Sequence, residues 1–263
     1  MYPAATAGRT GSMIKAERHD LIMVELAKRG AVSVAELARL LSVSSATIRR
    51  DISEMDANST LLRTHGGAAL RDRPREVSYD AKIMAYLPEK RRIGTHAASL
   101  LQPDMVVGCG GGTTVMQMIA SIKRLSLRVV TNAVNVALEL RDAEDIAVTL
   151  TGGTMRKGTT EVVGYICERT IRDFNLDVAI IGADGIHPEH GYTTYDSEEA
   201  YTNRVLIGQA REVWVLADRS KIDQVRPAVI DKIAAADLLI TDDAAPEAFL
   251  DAVRAKGVRV AVV

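Results

Sequence analysis

Two adjacent arginines, Arg49 and Arg50, have the chemistry and the sequence context needed to bind nucleic acid. Arginine can hold a backbone phosphate, or it can bind a guanine base through two hydrogen bonds. Hydroxyl and imidazole groups near them in the sequence can contact the same backbone. We therefore predict a DNA-binding surface, whose candidate residues are Ser44, Ser45, Thr47, Arg49, Arg50, Arg63 and His65.

The segment that precedes the arginines has the pattern of two short helices. A helix is predicted over residues 16–29, and it ends at Gly30 because glycine accepts the left-handed cap conformation. Residues 31–32 can form a short strand. Ser33 and Glu36 have the spacing of a capping box, which predicts that a second helix begins there.

The arginines themselves fall on a third predicted helix, which Ser44 caps after a turn at residues 42–43. Ile48, Ile52 and Met55 form an apolar stripe on this helix, so the arginines face outward. Recognition helices place their first residues against base edges in the major groove. The pattern therefore predicts a helix-turn-helix; the alternative is a solvated basic face on an unrelated three-helix bundle.

A short hairpin is predicted after the third helix. Apolar residues flank Gly66 and Gly67 within residues 61–69, which is typical of a small wing. Arg63 and His65 could contact phosphate or the minor groove there. For His65 the alternative is a structural hydrogen bond at the turn.

A second set of polar residues follows successive apolar runs in the remainder of the chain. The loop at residues 108–114 (GCGGGTT) leads into a helix, and glycine amides with threonine hydroxyls can hold a phosphate. Asn132 and Asp184 could bind hydroxyl groups, and Lys221 could neutralise charge. The candidate effector-binding residues are Gly110, Gly111, Gly112, Thr113, Thr114, Thr131, Asn132, Gly152, Gly153, Asp184, Glu199 and Lys221.

Each of these residues also has a simpler explanation. The glycine loop could be a tight strand-to-helix turn, Lys221 a surface lysine, and Asp184 or Asp218 a loop cap. The loop is not a Walker loop, since no Gly-Lys-Ser/Thr follows it. The second strand ends without an acidic residue to bind a ribose, which argues against a dinucleotide site. We expect no catalytic residues, no cofactor and no metal.

Alternation of strands and helices predicts the fold of this larger part. Valine- and isoleucine-rich runs separated by helical patterns favour a doubly wound, mostly parallel α/β sheet, in which ligands bind beyond the carboxyl ends of the strands. The predicted strands cover residues 105–107, 127–130, 146–150, 177–181, 213–217, 237–240 and 258–263.

Composition is that of an ordinary globular chain: 263 residues, 47% hydrophobic and 25% charged. No run approaches the roughly 20 apolar residues of a membrane helix, and two cysteines make neither a disulfide framework nor a zinc site. We expect a cytoplasmic protein with a disordered N-terminal tail or a start at Met13. Residues 1–71 contain 10 basic and 7 acidic residues, whereas the remaining residues contain 23 basic and 27 acidic residues. The N-terminal part is therefore mildly basic and the rest of the chain mildly acidic.

The sequence TIRRD at residues 47–51, followed by LLRTHGGA at residues 61–68, resembles the DeoR family of bacterial transcriptional regulators. The likeness continues to the C terminus. It is carried by Glu89-Lys90, by GGTT at 111–114, VTN at 130–132, LTGG at 150–153, Val163-Gly164, Glu199-Ala200, Asp218 with Ser220-Lys221, and ITD at 240–242. Cys109 departs from the family, which usually has an acidic or small residue there; it could tune the pocket or take a redox role.

The resemblance implies a winged helix-turn-helix over residues 14–70, a linker over 71–88, and an effector-sensing α/β domain over 89–263 with the fold of ribose-5-phosphate isomerase. It also implies a homodimer or homotetramer that binds operator DNA. We expect a repressor of a carbohydrate catabolic operon that a phosphorylated sugar, or a related anionic metabolite, releases. One alternative is a sugar-phosphate isomerase or deaminase that uses Asp184, Glu199 and Lys221; another is an architectural DNA binder without a ligand.

Overall fold

The computed structural model describes residues 15–58, 60–69, 76 and 78–263. The predicted N-terminal tail lies outside these residues. The chain divides into two compact units, residues 1–82 and 83–263.

The first unit contains three helices and a small antiparallel sheet of order β1-β3-β2. The predicted capping box is confirmed, because the Ser33 side chain accepts from the Glu36 amide and the Glu36 side chain accepts from the Ser33 amide. Gly30 ends the first helix with φ +73°. The elements are α1 (Lys15–Arg29), β1 (Ala31–Ser33), α2 (Val34–Leu40), α3 (Ser45–Ala57), β2 (Leu62–Arg63) and β3 (Gly67–Ala69).

The core of the first unit is built from the predicted apolar stripe. Ile48 and Ile52 of α3 are buried against Ile22 and Leu26 of α1 and Leu37 of α2. The three helices thus share one core, with the short sheet packed beside them. The predicted winged helix-turn-helix is confirmed.

The second unit is built on a seven-stranded parallel sheet of order β15-β14-β12-β9-β4-β5-β6. Its strands are β4 (Val106–Cys109), β5 (Leu127–Thr131), β6 (Ile146–Leu150), β9 (Leu176–Ile181), β12 (Ala210–Leu216), β14 (Leu238–Thr241) and β15 (Arg259–Val262). All seven predicted strands are confirmed, with bounds that differ by at most three residues. In this sheet β5 and β6 lie on one side of β4, and β9, β12, β14 and β15 lie on the other. The strand order therefore reverses between β4 and β9.

Helices cover both faces of this sheet. One buried cluster contains Ile181, Tyr192 and Leu239, and the other contains Met118 and Val129. The helices are α5 (Leu87–Leu100), α6 (Thr113–Ser121), α7 (Val134–Leu140), α8 (Tyr165–Arg172), α9 (Ser197–Gly208) and α10 (Glu247–Ala255). Short 3₁₀ helices cover Arg219–Lys221 and Ile233–Ala235.

Three features of the chain were not predicted. The pair β7 (Thr154–Met155) and β8 (Val162–Val163) forms a hairpin, and β10 (Gly185–His187), β11 (Gly191–Thr194) and β13 (Ala228–Asp231) form an antiparallel sheet. These strands have two to four residues, too few to show an alternating pattern. The segment predicted as a linker also contains helix α4 (Tyr79–Met84) and the first residues of α5.

Candidate functional site

Helix α3 presents the predicted DNA-binding side chains. Ser45, Arg49 and Arg50 are exposed on it. The Thr47 amide donates to Ser44 Oγ over 3.1 Å, and the two hydroxyl groups lie 2.9 Å apart. Ser44 therefore caps the helix and leaves the arginines free to point away from the core.

The aspartate that follows the arginines has a different role. Asp51 is buried and accepts hydrogen bonds from Arg18 Nε at 2.5 Å and Nη2 at 2.9 Å, with His19 Nε2 at 3.3 Å. Burial opposes ionisation, but the hydrogen bonds and charge of Arg18 and His19 hold the pKa of Asp51 below its ordinary value. The ion pair joins α1 to α3 and so orients the recognition helix.

The wing brings the other candidate residues next to α3. Arg63 Nη1 donates to Ser53 Oγ over 3.0 Å, and Arg49, Arg63 and His65 line a cleft of about 80 Å³. The His65 side chain is exposed in the wing, and both its DNA-contact role and its structural alternative stay predictions. Gly67 is required in the wing, since a Cβ there would lie 2.1 Å from the Val32 carbonyl oxygen.

The second candidate site lies where the strand order reverses. Ligands of open α/β sheets bind at such a point, beyond the carboxyl ends of the strands. Gly112, after β4, and Gly182, after β9, face each other there: a Cβ on Gly112 would lie 3.6 Å from Gly182 Cα. We call the residues that follow β4, β5, β9 and β12 the switch-point edge.

The two predicted residues at the end of β5, Thr131 and Asn132, differ in whether a polar atom is left to bind a ligand. The Thr131 hydroxyl donates to the Cys109 carbonyl over 2.8 Å and accepts from the Ala133 amide, so it is used within the fold. Asn132 Nδ2 donates to the Val162 carbonyl over 3.0 Å. The Asn132 Oδ1 atom is buried without a partner among the described residues, and it can receive a donor from a ligand.

Acidic and basic side chains converge at the ends of β9 and β12. Lys221 Nζ lies 3.7 Å from Asp184 Oδ1. The Thr194 hydroxyl lies 3.1 Å from Asp184 Oδ2 and 2.8 Å from Glu199 Oε1. Arg156 Nη1 lies 3.2 Å from the other Glu199 oxygen. Predicted residues Asp184, Glu199 and Lys221 therefore belong to one polar cluster.

Burial raises the pKa of Glu199 to about 8, with further contributions from the negative charges of Glu161 and Asp184. At neutral pH the Glu199 carboxyl is mostly protonated. It can then donate to the Thr194 hydroxyl, which in turn donates to Asp184. This chain of hydrogen bonds leaves one negative charge for Lys221 to balance.

Glu161, which contacts the switch-point edge, was not predicted from the sequence. It directly precedes the short strand β8, and an isolated antiparallel bridge pairs it with Ala133 after β5. Its Oε1 accepts from the Gly111 amide over 2.7 Å. Arg156 and Asn203 were missed for the same reason, because no periodic pattern places the hairpin or α9 against the glycine loop.

Gly152 and Gly153 lie with the hairpin. Gly153 has φ +137°, and a Cβ there would lie 2.7 Å from the Val163 carbonyl oxygen. A Cβ on Gly152 would lie 2.9 Å from Ile166. These two glycines let the chain turn back into β7 and β8, and so they position the segment that carries Glu161.

Cys109 is fully buried at the end of β4. Burial raises the pKa of its thiol to about 12. A buried thiol that stays protonated is unreactive, which argues against the redox role suggested for it. Its backbone carbonyl, held by the Thr131 hydroxyl, fixes the start of the glycine loop.

A buried ion pair supports the loop that carries Lys221. Lys90 Nζ lies 3.5 Å from Asp218 Oδ2, and both side chains are almost fully buried. Arg219, next to Asp218, lies 2.9 Å from Asp242 and 3.1 Å from Glu89. The family-like residues at the start of α5 thus contact those that follow β12, and Arg219 in turn contacts Asp242 after β14.

A winged helix-turn-helix joined to an α/β unit with a polar switch-point edge defines a ligand-responsive transcriptional regulator. The family model described as "DeoR-like helix-turn-helix domain" matches residues 18–73, and "DeoR C terminal sensor domain" matches residues 86–243. The chain belongs to the DeoR family. It is a DNA-binding transcriptional regulator and not a sugar-phosphate isomerase or deaminase, the enzymatic alternative that its sequence left open.

Relatives over nearly the whole chain agree with this assignment. The chain is 32% identical to the HTH-type transcriptional repressor GlcR of Bacillus subtilis, over 95% of this chain and 97% of that protein. It is 32% identical to the glycerol-3-phosphate regulon repressor of Shigella flexneri (89% and 93%). It is 31% identical to the lactose phosphotransferase system repressor of Streptococcus mutans (88% and 93%).

Among solved structures, ribose 5-phosphate isomerase A from Methanocaldococcus jannaschii matches 52% of this chain and 55% of its own, with 18% identity and a TM-score of 0.39. No helix of the described residues combines the length and the apolar character needed to cross a bilayer.

Proposed function

We propose that this regulator represses a carbohydrate catabolic operon and leaves its operator when a phosphorylated sugar binds at the switch-point edge. The observation that carries the proposal is the Lys221–Asp184 ion pair at the ends of β9 and β12. The buried Asn132 oxygen after β5, which has no partner among the described residues, supports it. The names of two relatives, which refer to a glycerol-3-phosphate regulon and a lactose phosphotransferase system, support the same class of effector.

The chemistry of the edge suits a ligand with one anionic group and several hydroxyl groups. No side chain of the described residues caps the α6 N terminus, and uncapped amides with a positive dipole favour a phosphate there. Lys221 adds a positive charge. Carboxylate and amide oxygens accept hydrogen bonds from hydroxyl groups.

The DNA-binding part of the proposal assigns α3 to the major groove and the wing to the flanking backbone. Arg49 and Arg50 then contact bases or phosphates, while Arg63 and His65 contact the backbone. We propose a homodimer or homotetramer, because paired recognition helices need two half-sites at a fixed spacing.

Release of DNA follows from linkage. A ligand that binds best to a conformation with weak operator affinity lowers that affinity by its coupling free energy. The 3₁₀ helix Arg219–Lys221 offers a route for the coupling, since Lys221 faces the edge while Arg219 contacts Glu89 and stacks over the Tyr86 ring at 4.9 Å. Tyr86 and Glu89 directly follow the segment that leads from the first unit.

An operator-binding assay tests the proposal. The full chain is mixed with labelled DNA from upstream of its own gene and of the neighbouring genes, with and without a panel of phosphorylated sugars. We expect a protected site that one phosphorylated sugar abolishes and its unphosphorylated form does not. A protected site that no member of the panel weakens would contradict the effector class but leave the DNA-binding function intact.

A further inference from the structure

We infer that Glu161 selects the ligand at the switch-point edge: its carboxylate accepts hydrogen bonds from sugar hydroxyl groups and keeps the phosphate away from the Gly110–Gly111 end of the loop. The inference rests on the proposed function, because it specifies how a phosphorylated sugar is oriented in that site. It also changes the expected placement of the phosphate, which the sequence spread over the whole of residues 110–114.

The glycine loop is already occupied by this carboxylate. Glu161 is only 7% exposed, and its Oε1 accepts from the Gly111 amide over 2.7 Å. An amide that serves one anion in the folded protein is not free for a second. The glycine-rich sequence here is therefore explained by a carboxylate from the same chain.

The absence of side chains at the two glycines makes room for Glu161. A Cβ on Gly110 would lie 3.3 Å from Glu161 Oε1 and 3.3 Å from Asn203 Oδ1. A Cβ on Gly111 would lie 2.9 Å from Glu161 Cγ and 2.8 Å from Ala133 Cβ. Glycine at both positions is thus matched to a buried glutamate at position 161.

Electrostatics separates the two ends of the site. The charges of Glu161 and Asp184 both raise the pKa of Glu199, so three carboxyl groups lie close together in this region. Arg156 and Lys221, the basic groups facing them, already lie within 4 Å of Glu199 and Asp184 respectively. A phosphate dianion placed here would compete with the Glu161 and Asp184 carboxylates for these basic groups, whereas hydroxyl groups would find acceptors.

Neighbouring acceptors reinforce this assignment. The buried Asn132 Oδ1 has no partner among the described residues, and a Cβ on Gly110 would lie 4.0 Å from it. The phosphate is left with Gly112–Thr114 at the start of α6, where the amides and the helix dipole favour an anion. The ligand therefore lies with its hydroxyl groups towards Glu161 and its phosphate towards α6.

The test compares Glu161→Gln with the wild-type chain by calorimetric titration. Ribose 5-phosphate, fructose 6-phosphate, glucosamine 6-phosphate and glycerol 3-phosphate are the probes, with inorganic phosphate as the fragment that has no sugar hydroxyl groups. We expect the variant to bind the tightest of the four about 10- to 100-fold more weakly, as for loss of a hydrogen bond to a charged acceptor. Inorganic phosphate should bind the variant at least as tightly as it binds the wild type.

Controls separate selectivity from folding. Glu144→Gln, at an exposed glutamate before β6, should change neither affinity, and Glu161→Asp should retain the preference for the sugar phosphate over inorganic phosphate. If Glu161→Gln binds the sugar phosphate as tightly as the wild type or more tightly, Glu161 blocks the site and the inference is wrong. If the wild type binds none of the four, the proposed effector class fails and the inference falls with it.

Discussion

Replacing Asp51 with alanine is expected to lower the unfolding temperature of the first unit and leave the second unit unchanged. The substitution removes the two hydrogen bonds that the Arg18 side chain, itself 11% exposed, makes to the Asp51 carboxylate. Breaking a buried ion pair costs about 3–5 kcal/mol, and the lower end applies here because Arg18 still reaches solvent. For a unit of this size about 3 kcal/mol corresponds to a fall of roughly 12–24 °C.

The chain contains its own probe for this measurement. Trp214, the single tryptophan, is buried in β12 and reports the second unit, whereas far-ultraviolet circular dichroism reports both. The ion pair between Lys15 and Glu54 joins the same two helices but is about half exposed, so Glu54→Gln should cost less than about 1 kcal/mol. An Asp51→Ala variant whose circular-dichroism transition matches the wild type would refute the argument, as would an equal shift in the Trp214 signal.

The pH dependence gives an independent check on Asp51. The pKa of Asp51 is lowered in the folded protein, so its contribution to the free energy of unfolding is complete above the unfolded-state pKa of about 3.9. This contribution is lost as the pH falls through the pKa of the folded state. The stability difference between wild type and Asp51→Ala should therefore be constant near neutral pH and shrink in acid.

Three further outcomes follow from the two sites. Arg49→Ala and Arg50→Ala should abolish the operator footprint at an unchanged unfolding temperature, whereas Arg39→Ala, exposed on α2, should not; intact footprints in both variants would contradict the recognition-helix assignment. Lys221→Ala should keep operator binding and lose release by the phosphorylated sugar, and normal release would count against the site. The pKa of Glu199 is raised to about 8 in the folded protein, whereas the pKa of a glutamate in the unfolded chain is about 4.3. Between these two pH values the folded protein holds a proton that the unfolded chain has lost. Its contribution to stability should therefore decline as the pH rises towards 8 and be absent above it. Glu199→Gln should remove this slope from tryptophan-monitored unfolding, and a persisting slope would contradict the buried carboxyl.

The sequence predicted the parts of the fold that depend on local patterns. Capping residues such as Ser33 and Ser44 mark helix starts through hydrogen bonds to residues three positions away. Strands such as Leu238–Thr241 are mostly apolar runs, because both faces of a parallel sheet are buried. Such signals are contained in a few neighbouring residues, so one sequence is enough to read them.

Partners that are distant in the chain could not be predicted in this way. Asp51 looks like part of the basic recognition helix, yet its function is set by Arg18, 33 residues earlier. Glu161 looks like an ordinary loop residue, yet it accepts from Gly111, 50 residues earlier. In both cases the charge is placed by an element that no local pattern positions, namely the crossing of α1 over α3 and the hairpin that returns to β5.

The glycine loop shows why this distinction matters for function. Its composition predicts close approach of an anion to backbone amides, since only glycine leaves that space open. Composition does not say whether the anion is a ligand or a side chain of the same protein. The Glu161 carboxylate answers that question for Gly111. In the proposed function, the specificity of this edge therefore depends as much on the hairpin that positions Glu161 as on the glycine loop that contacts it.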